Sequence, residues 1–262
     1  MCNLIDGFLD DKMQYNIKFI KNKYKEEIEL LYKFNKLSYK IIDGYKGKNV
    51  TSENEHIFPA FVHLNKLYQS AVIMLEYGLI SSSKIILRSM IEISIQIKYI
   101  FLDENNIRKL EKNMIKEALK KIKYIEEKEI CNVFQKECLE KNKKELNLKM
   151  EQFNKDEIKS APNFREMCEM VNCINVYLYY KCLCEPTHGG FSTVRSLNYF
   201  SDKGLIINGN EDYSDFKENS LQVIDVLNIV LEEMIKKYEP NLEKEYLDLK
   251  RIFEEELKSM LK

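Results

Sequence analysis

The sequence predicts an all-α fold, a single-domain helical bundle of about six or seven helices spanning 1–262. Two observations carry that expectation. Turn formers are scarce, with 8 Gly and 4 Pro in 262 residues, whereas a β-sandwich or barrel needs a turn every few residues. In addition, Ile, Leu, Phe and Tyr recur every three or four residues between Lys and Glu, the period of an amphipathic helix. A hydrophobic fraction of 45% beside 32% charged residues suits helices with one solvated face, and the chain is long enough to bury a sizeable core.

The first periodic segment covers 9–42, with Ile17, Ile20, Tyr24, Ile28, Leu31, Tyr32 and Phe34 at helical spacing, and Gly44 to Asn49 break it. A second helix is expected over 52–77. Ser52-Glu-Asn-Glu resembles a capping box, Pro59 falls near the start, and Gly78 supplies a C-cap. Ser81, Ser82 and Ser83 offer N-caps for a third helix that ends near Leu102. After the polar break at 103–106, the segment 107–153 is rich in Lys and Glu, nearly balanced in sign and sparse in apolar residues. It reads as a long charged helix or helical hairpin protruding over 107–155.

Ser160-Ala-Pro162 opens a fifth helix that runs to about Cys184. Phe164, Met167, Met170, Val171, Ile174, Tyr177, Tyr180 and Leu183 make it apolar around most of its circumference, so it is expected to be buried. Pro186 is expected to end it, with Thr187-His188-Gly189-Gly190 as a loop. Gly204-Leu-Ile-Ile is a candidate for a brief extended pairing. Helices over 215–238 and 242–261, separated by Pro240, complete the chain. No internal repeat or low-complexity linker divides it.

With 41 basic and 42 acidic residues the net charge is −1, so no global field steers the chain to DNA or to an anionic membrane. The N-terminal MCNLIDGFLDDKMQ lacks an uninterrupted apolar core, which predicts no signal peptide, no membrane span and a cytoplasmic setting. Seven cysteines, at 2, 131, 138, 168, 173, 182 and 184, are odd in number and irregular in spacing, and no CxxC pair is present. They are expected to be reduced thiols, with no metal or cofactor implied. Apolar seams along the long helices are compatible with a homodimer.

The chemistry concentrates on the third helix. On a helical wheel Ile86, Met90, Ile93, Ile97, Ile100 and Phe101 share one arc, which is expected to be core. Ser81, Arg88, Glu92, Gln96 and Tyr99 share a narrow polar stripe flanked by Ile85 and Ile95, so Arg88 and Glu92 are expected to be partly desolvated and in need of partners. Their i,i+4 spacing lets them meet, although Arg before Glu is the weaker order. That leaves two readings: a structural ion pair bracing two helices, or a site that orients another group or binds an anion.

His188, just beyond the fifth helix and before two glycines, is the natural third member. Its imidazole titrates near neutrality and suits a general acid or base, with Glu92 fixing the tautomer and Arg88 stabilising developing negative charge. Its structural alternative is a histidine that satisfies loop backbone groups. Tyr180, Arg195 and Gln96 are candidate substrate-binding residues, Tyr180 having a core role as its alternative. Cys184 is a conceivable nucleophile or, with His188 and Glu92, a metal ligand, but a buried free cysteine more often acts as a small hydrophobe. His56 and His63 read as ordinary helix residues.

Two segments carry a resemblance. Leu87-Arg88-Ser89-Met-Ile-Glu92, with the Tyr99-Ile100 that follows, resembles the Leu-Arg-Ser-x-x-Glu helix of a bacterial family known as domain of unknown function 5677. Tyr180-Lys-Cys-Leu-Cys184-Glu-Pro-Thr-His188 resembles its Tyr-x-x-Leu-Ser-x-x-x-His segment, with Cys184 in place of the usual serine. The resemblance covers about 65–240. It implies an all-α fold in which Arg88, Glu92 and His188 converge, and it brings no activity with it. Helical HEPN ribonucleases of bacterial defence systems also pair Arg with His, but in an Arg-then-His order on one helix that this chain lacks.

The sequence thus leads to a small helical effector acting on a phosphate-containing substrate such as RNA or a nucleotide, through Arg88, Glu92 and His188. The rival is a non-catalytic helical module that binds a partner protein or ligand, in which the Arg88–Glu92 pair is structural.

Overall fold

A computed structural model of the chain describes residues 13–45, 52–128, 133–187, 198–201, 204–207 and 215–260. Ten α-helices lie among the described residues, more than the six or seven expected. They are α1 (Met13–Lys23), α2 (Lys25–Tyr45), α3 (Ser52–Glu76), α4 (Ile80–Leu102), α5 (Asn106–Glu127), α6 (Val133–Lys155), α7 (Phe164–Met170), α8 (Ile174–Thr187), α9 (Phe216–Tyr238) and α10 (Glu243–Met260), with a 3₁₀ turn at Pro240–Leu242 before the last. A short antiparallel hairpin pairs Asn198–Ser201 with Gly204–Ile207, in the place where a brief extended segment was expected. The all-α class stands.

The extra helices come from interruptions that apolar periodicity does not register. The first periodic segment is interrupted only at Tyr24, whose amide still bonds the Ile20 carbonyl at 2.9 Å while its own carbonyl accepts from Ile28 at 3.0 Å. The 160–184 segment is two helices, because Asn172 takes a left-handed φ of 56°. Cys173 N–H then closes on Cys168 O at 2.7 Å, a Schellman ending with Asn in the role Gly usually fills. Gly78 does fill that role, at φ 75°, with Leu79 N–H on Met74 O at 2.8 Å, so the expected C-cap of α3 is present.

Three expected boundaries move. No serine side chain caps α4, which starts at Ile80; Ser83 Oγ turns back to the Ile80 carbonyl at 2.7 Å. Helix α7 starts after Pro162, capped by Asn163 and Glu166 in a reciprocal box. Helix α8 continues through Pro186 to Thr187. Pro59 lies within α3, but on its exposed side, where the carbonyl left without an amide partner can turn to water.

The core is organised around α4 and α9. Helix α4 packs on α3, α9, α8 and α7, and α9 also covers α2 and α3. The two cross closely enough for buried Ser94 Oγ to donate to the Val226 carbonyl at 3.1 Å, a contact a larger residue would not allow. Tyr24 stacks on Phe216 at 4.2 Å and Tyr68 donates to Leu31 O at 2.8 Å, tying α1–α3 to this centre. The charged segment is a helical hairpin: Arg108 pairs with Asp156 at one end and Lys143 with Glu126 at 2.6 Å toward the other, so α5 and α6 run antiparallel. No helix among the described residues is long and apolar enough to cross a membrane.

Candidate functional site

Helix α4 is enclosed on most of its circumference, with Leu87, Ile91, Ser94 and Ile95 all buried. The polar stripe is the narrow arc left open. One flank behaves as expected, Ile95 being fully buried, whereas Ile85 is exposed. Tyr99 does not belong to the site: it is in the core, its hydroxyl pKa pushed up by burial. The true core arc is centred further round the helix than the predicted one, on Leu87, Ile91 and Ser94. Ser81 and Gln96 are exposed along the same stripe. Arg88 and Glu92 are the members that meet another helix.

That helix is α8, and the residue is Tyr180. Its hydroxyl accepts from Arg88 Nη2 at 2.9 Å and donates to Glu92 Oε1 at 2.7 Å. Arg88 and Glu92 also approach each other directly, but only to 3.4 Å, so the phenol completes the pair. The guanidinium carbon lies 5.1 Å from the centre of the Tyr180 ring, within cation–π range. Phe164, the first residue of α7, buttresses that ring at 4.5 Å between centroids, with Tyr177 a further neighbour. The preceding residue, Tyr179, donates from the other side of α8 to Gln222 Oε1 on α9. Adjacent tyrosines therefore fasten α8 to α4 and to α9.

The electrostatics follow from this arrangement. Burial, then the hydrogen bond to Glu92, push the Tyr180 hydroxyl up to about 12, so it is a neutral donor at ordinary pH. The hydrogen bond to Tyr180, and the charge of Glu92, hold Arg88 more firmly protonated than a free arginine. The Arg88 side chain is 20% exposed and that of Glu92 39%. Arg88 Nε is buried and has no hydrogen-bond partner among the described residues. A buried N–H in that state costs free energy until an acceptor reaches it.

Cys184, one turn along α8 from Tyr180, lies within electrostatic reach of Arg88 and is half-buried. His188 and Arg195 lie outside the described residues. His56 and His63 are exposed on α3, His56 facing Glu111 at 3.7 Å. No group of three His, Cys, Asp or Glu suited to a metal ion occurs among the described residues. Burial pushes the Cys168 thiol up to about 11 and raises Cys173 as well, so both favour the protonated form. Sequence reasoning gave Tyr180 a secondary place, yet it is the centre of the site. The available signal was its position at the head of the Tyr-x-x-Leu segment.

Fold and site together define a class: an all-helical protein in which an Arg-x-x-x-Glu turn on one central helix is bridged by a tyrosine from another. Residues 54–206 match the family of unknown function DUF5677, and the chain belongs to that family. The match spans both segments that carry the site. No curated protein and no solved structure matches the chain.

Proposed function

We propose that this protein is a bacterial defence or toxin-type effector acting on a phosphate-containing substrate, with RNA the favoured polymer. The observation that carries this reading is the state of Arg88. Its guanidinium is mostly buried beside an aromatic ring, its Nη2 is held by Tyr180, and its Nε–H has no acceptor among the described residues. A planar, permanently charged donor with one N–H unused in a partly dehydrated setting suits a phosphate oxygen. In this reading Arg88 holds the anion, Glu92 orients Arg88 through the Tyr180 hydroxyl, and His188 moves the proton. Gln96 and Arg195 are the further residues assigned to substrate.

The test is purified protein incubated with total RNA and with short labelled oligonucleotides. Cleavage that disappears in His188→Ala and falls at least a hundredfold in Arg88→Ala is the expected result. Intact RNA, or cleavage unchanged in either variant, overturns the nuclease reading.

A second reading rests on the double hydrogen bond of Tyr180, which suits a clamp between α4 and α8 in a non-catalytic partner- or ligand-binding module. It predicts that Tyr180→Phe and Arg88→Ala lower Tm by several degrees, with no activity to lose.

A further inference from the structure

Helices α5 and α6 carry 13 lysines and arginines against 8 glutamates, an excess of five in a chain whose net charge is −1. The hairpin is therefore less evenly charged than its Lys/Glu-rich sequence suggests at a glance. The excess is also ordered. Lys109, Lys112, Lys116, Lys120 and Lys123 follow one another at spacings of three or four, so they share one face of α5. From Lys112 to Lys123 the stripe rises about 16 Å.

Four of these lysines, Lys112 through Lys123, line an open groove of about 490 Å³ between the two helices, with Leu119 and Met150 as apolar lining. Their partners show how much of the charge is balanced. Lys112 Nζ donates to Asn154 Oδ1 at 2.8 Å and the Ile158 carbonyl at 2.6 Å, and Lys116 donates to Ser160 Oγ. All three acceptors are neutral. Among the described residues, Lys120 and Lys123 pair with carboxylates of their own helix, Glu117 at 2.7 Å and Glu127 at 3.7 Å, in pairs more than half exposed that contribute little and exchange readily.

The groove is also connected to the Arg88 site. The segment from α6 to α7 lies along α5, with Ala161 N–H on the Lys109 carbonyl at 3.2 Å and Asn113 Nδ2 on the Ala161 carbonyl at 3.0 Å. Two residues later Asn163 caps α7, whose first residue, Phe164, packs on the Tyr180 ring. One short segment therefore touches both the lysines and the buttress of Tyr180.

We infer that the α5 lysine face and its groove bind the phosphate backbone of single-stranded RNA, delivering the polymer whose phosphate the Arg88 site takes; this rests on the reading of that site given above. Lys112 is buried. The ammonium groups of Lys116, Lys120 and Lys123, repeated every three or four residues on one helix face, match a polymer with repeated charge, while the apolar lining accommodates base and sugar faces rather than further anions.

The test is fluorescence anisotropy with a labelled 12-nucleotide oligouridylate at low salt. Wild-type protein is expected to bind saturably, with affinity falling steeply as salt rises. The variant Lys116→Gln/Lys120→Gln/Lys123→Gln is expected to bind at least tenfold more weakly, with a salt slope shallower by about two for three lost phosphate contacts. Lys120→Gln/Lys123→Gln, which leaves the Ser160 contact intact, is expected to show an intermediate loss and guards against a folding defect in the triple variant. Arg88→Ala is expected to lose at most one phosphate contact, and so to weaken binding and flatten the salt slope less than the triple variant does. No binding, binding unchanged in both lysine variants, or equal competition by polyglutamate at matched charge overturns the inference. RNA bound through the lysines but never cleaved overturns the Arg88 reading alone. Cleavage dependent on Arg88 but indifferent to the lysines overturns the groove alone.

Discussion

The molecule contains two trios of a tyrosine, a glutamate and a cation. Tyr32 donates to Glu76, which pairs with Lys21 at 2.9 Å; Tyr180 donates to Glu92, beside Arg88. Burial is reversed between them. In the first the carboxylate is inside, with the Glu76 side chain 10% exposed and that of Lys21 45%. Each carboxylate oxygen there has its own donor, Tyr32 on one and Lys21 on the other. In the second the cation is inside and the carboxylate is nearer water, and the buried Arg88 Nε is left over. Two similar trios, one with an ammonium and one with a guanidinium, thus give a fully paired fastening in one place and, among the described residues, a buried N–H without an acceptor in the other. What decides is which charge is desolvated and whether its hydrogen-bonding capacity is used up.

The largest effect that separates the two trios concerns anion binding. Inorganic phosphate at about a hundred times its Kd should stabilise the wild type by about 2.7 kcal/mol, a rise of several degrees in Tm for a chain of this size. Lys21→Ala should keep that response, and Arg88→Ala should lose it. An Arg88→Ala protein that still rises in Tm as the wild type does would show that the second trio is as closed as the first.

Stability should rank the trios in the opposite order. Glu76→Gln removes a buried charged acceptor from two donors and should cost about 2 kcal/mol, in the range for hydrogen bonds to charged groups. Glu92→Gln alters a carboxylate that is 39% exposed and keeps an amide oxygen for Tyr180, so it should cost less than about 1 kcal/mol. Urea midpoints at unchanged slope would measure both. Equal losses would remove the distinction.

Most of the fold was legible in the sequence because it rests on periodicity and turn chemistry, which are local. Gly78 and the polar break at 103–106 mark real boundaries of α3 and α4. The division at Asn172 was not legible, because nothing local distinguishes an Asn that will adopt a left-handed φ from one that stays helical. The site was legible as to residue types but not as to its hub. Wheel geometry isolates Arg88 and Glu92, yet it also put Tyr99 on the stripe, since the width of the buried arc depends on how many helices surround α4. Tyr180 looked like core for a similar reason: α8 is apolar, and only its docking angle against α4 shows that the phenol oxygen reaches two charged groups. His188 and Arg195, which depend on the segment after α8, stay at the level of sequence reasoning.

The smallest effect is also the most local. Burial and a glutamate partner push Tyr32 and Tyr180 alike up to about 12. A tyrosine whose folded pKa lies above the unfolded value near 10 contributes stability that is fully present below pH 10 and is lost as pH rises toward 12. Tyrosinate absorbance should therefore show two late-titrating groups at these positions, one removed by Tyr32→Phe and the other by Tyr180→Phe. Phosphate should separate them. An anion seated on Arg88 adds negative charge beside Tyr180 and should raise its pKa further, while Tyr32, on the closed trio, should titrate as before. A shift at Tyr32, or none at Tyr180 under saturating phosphate, would place the anion somewhere other than Arg88.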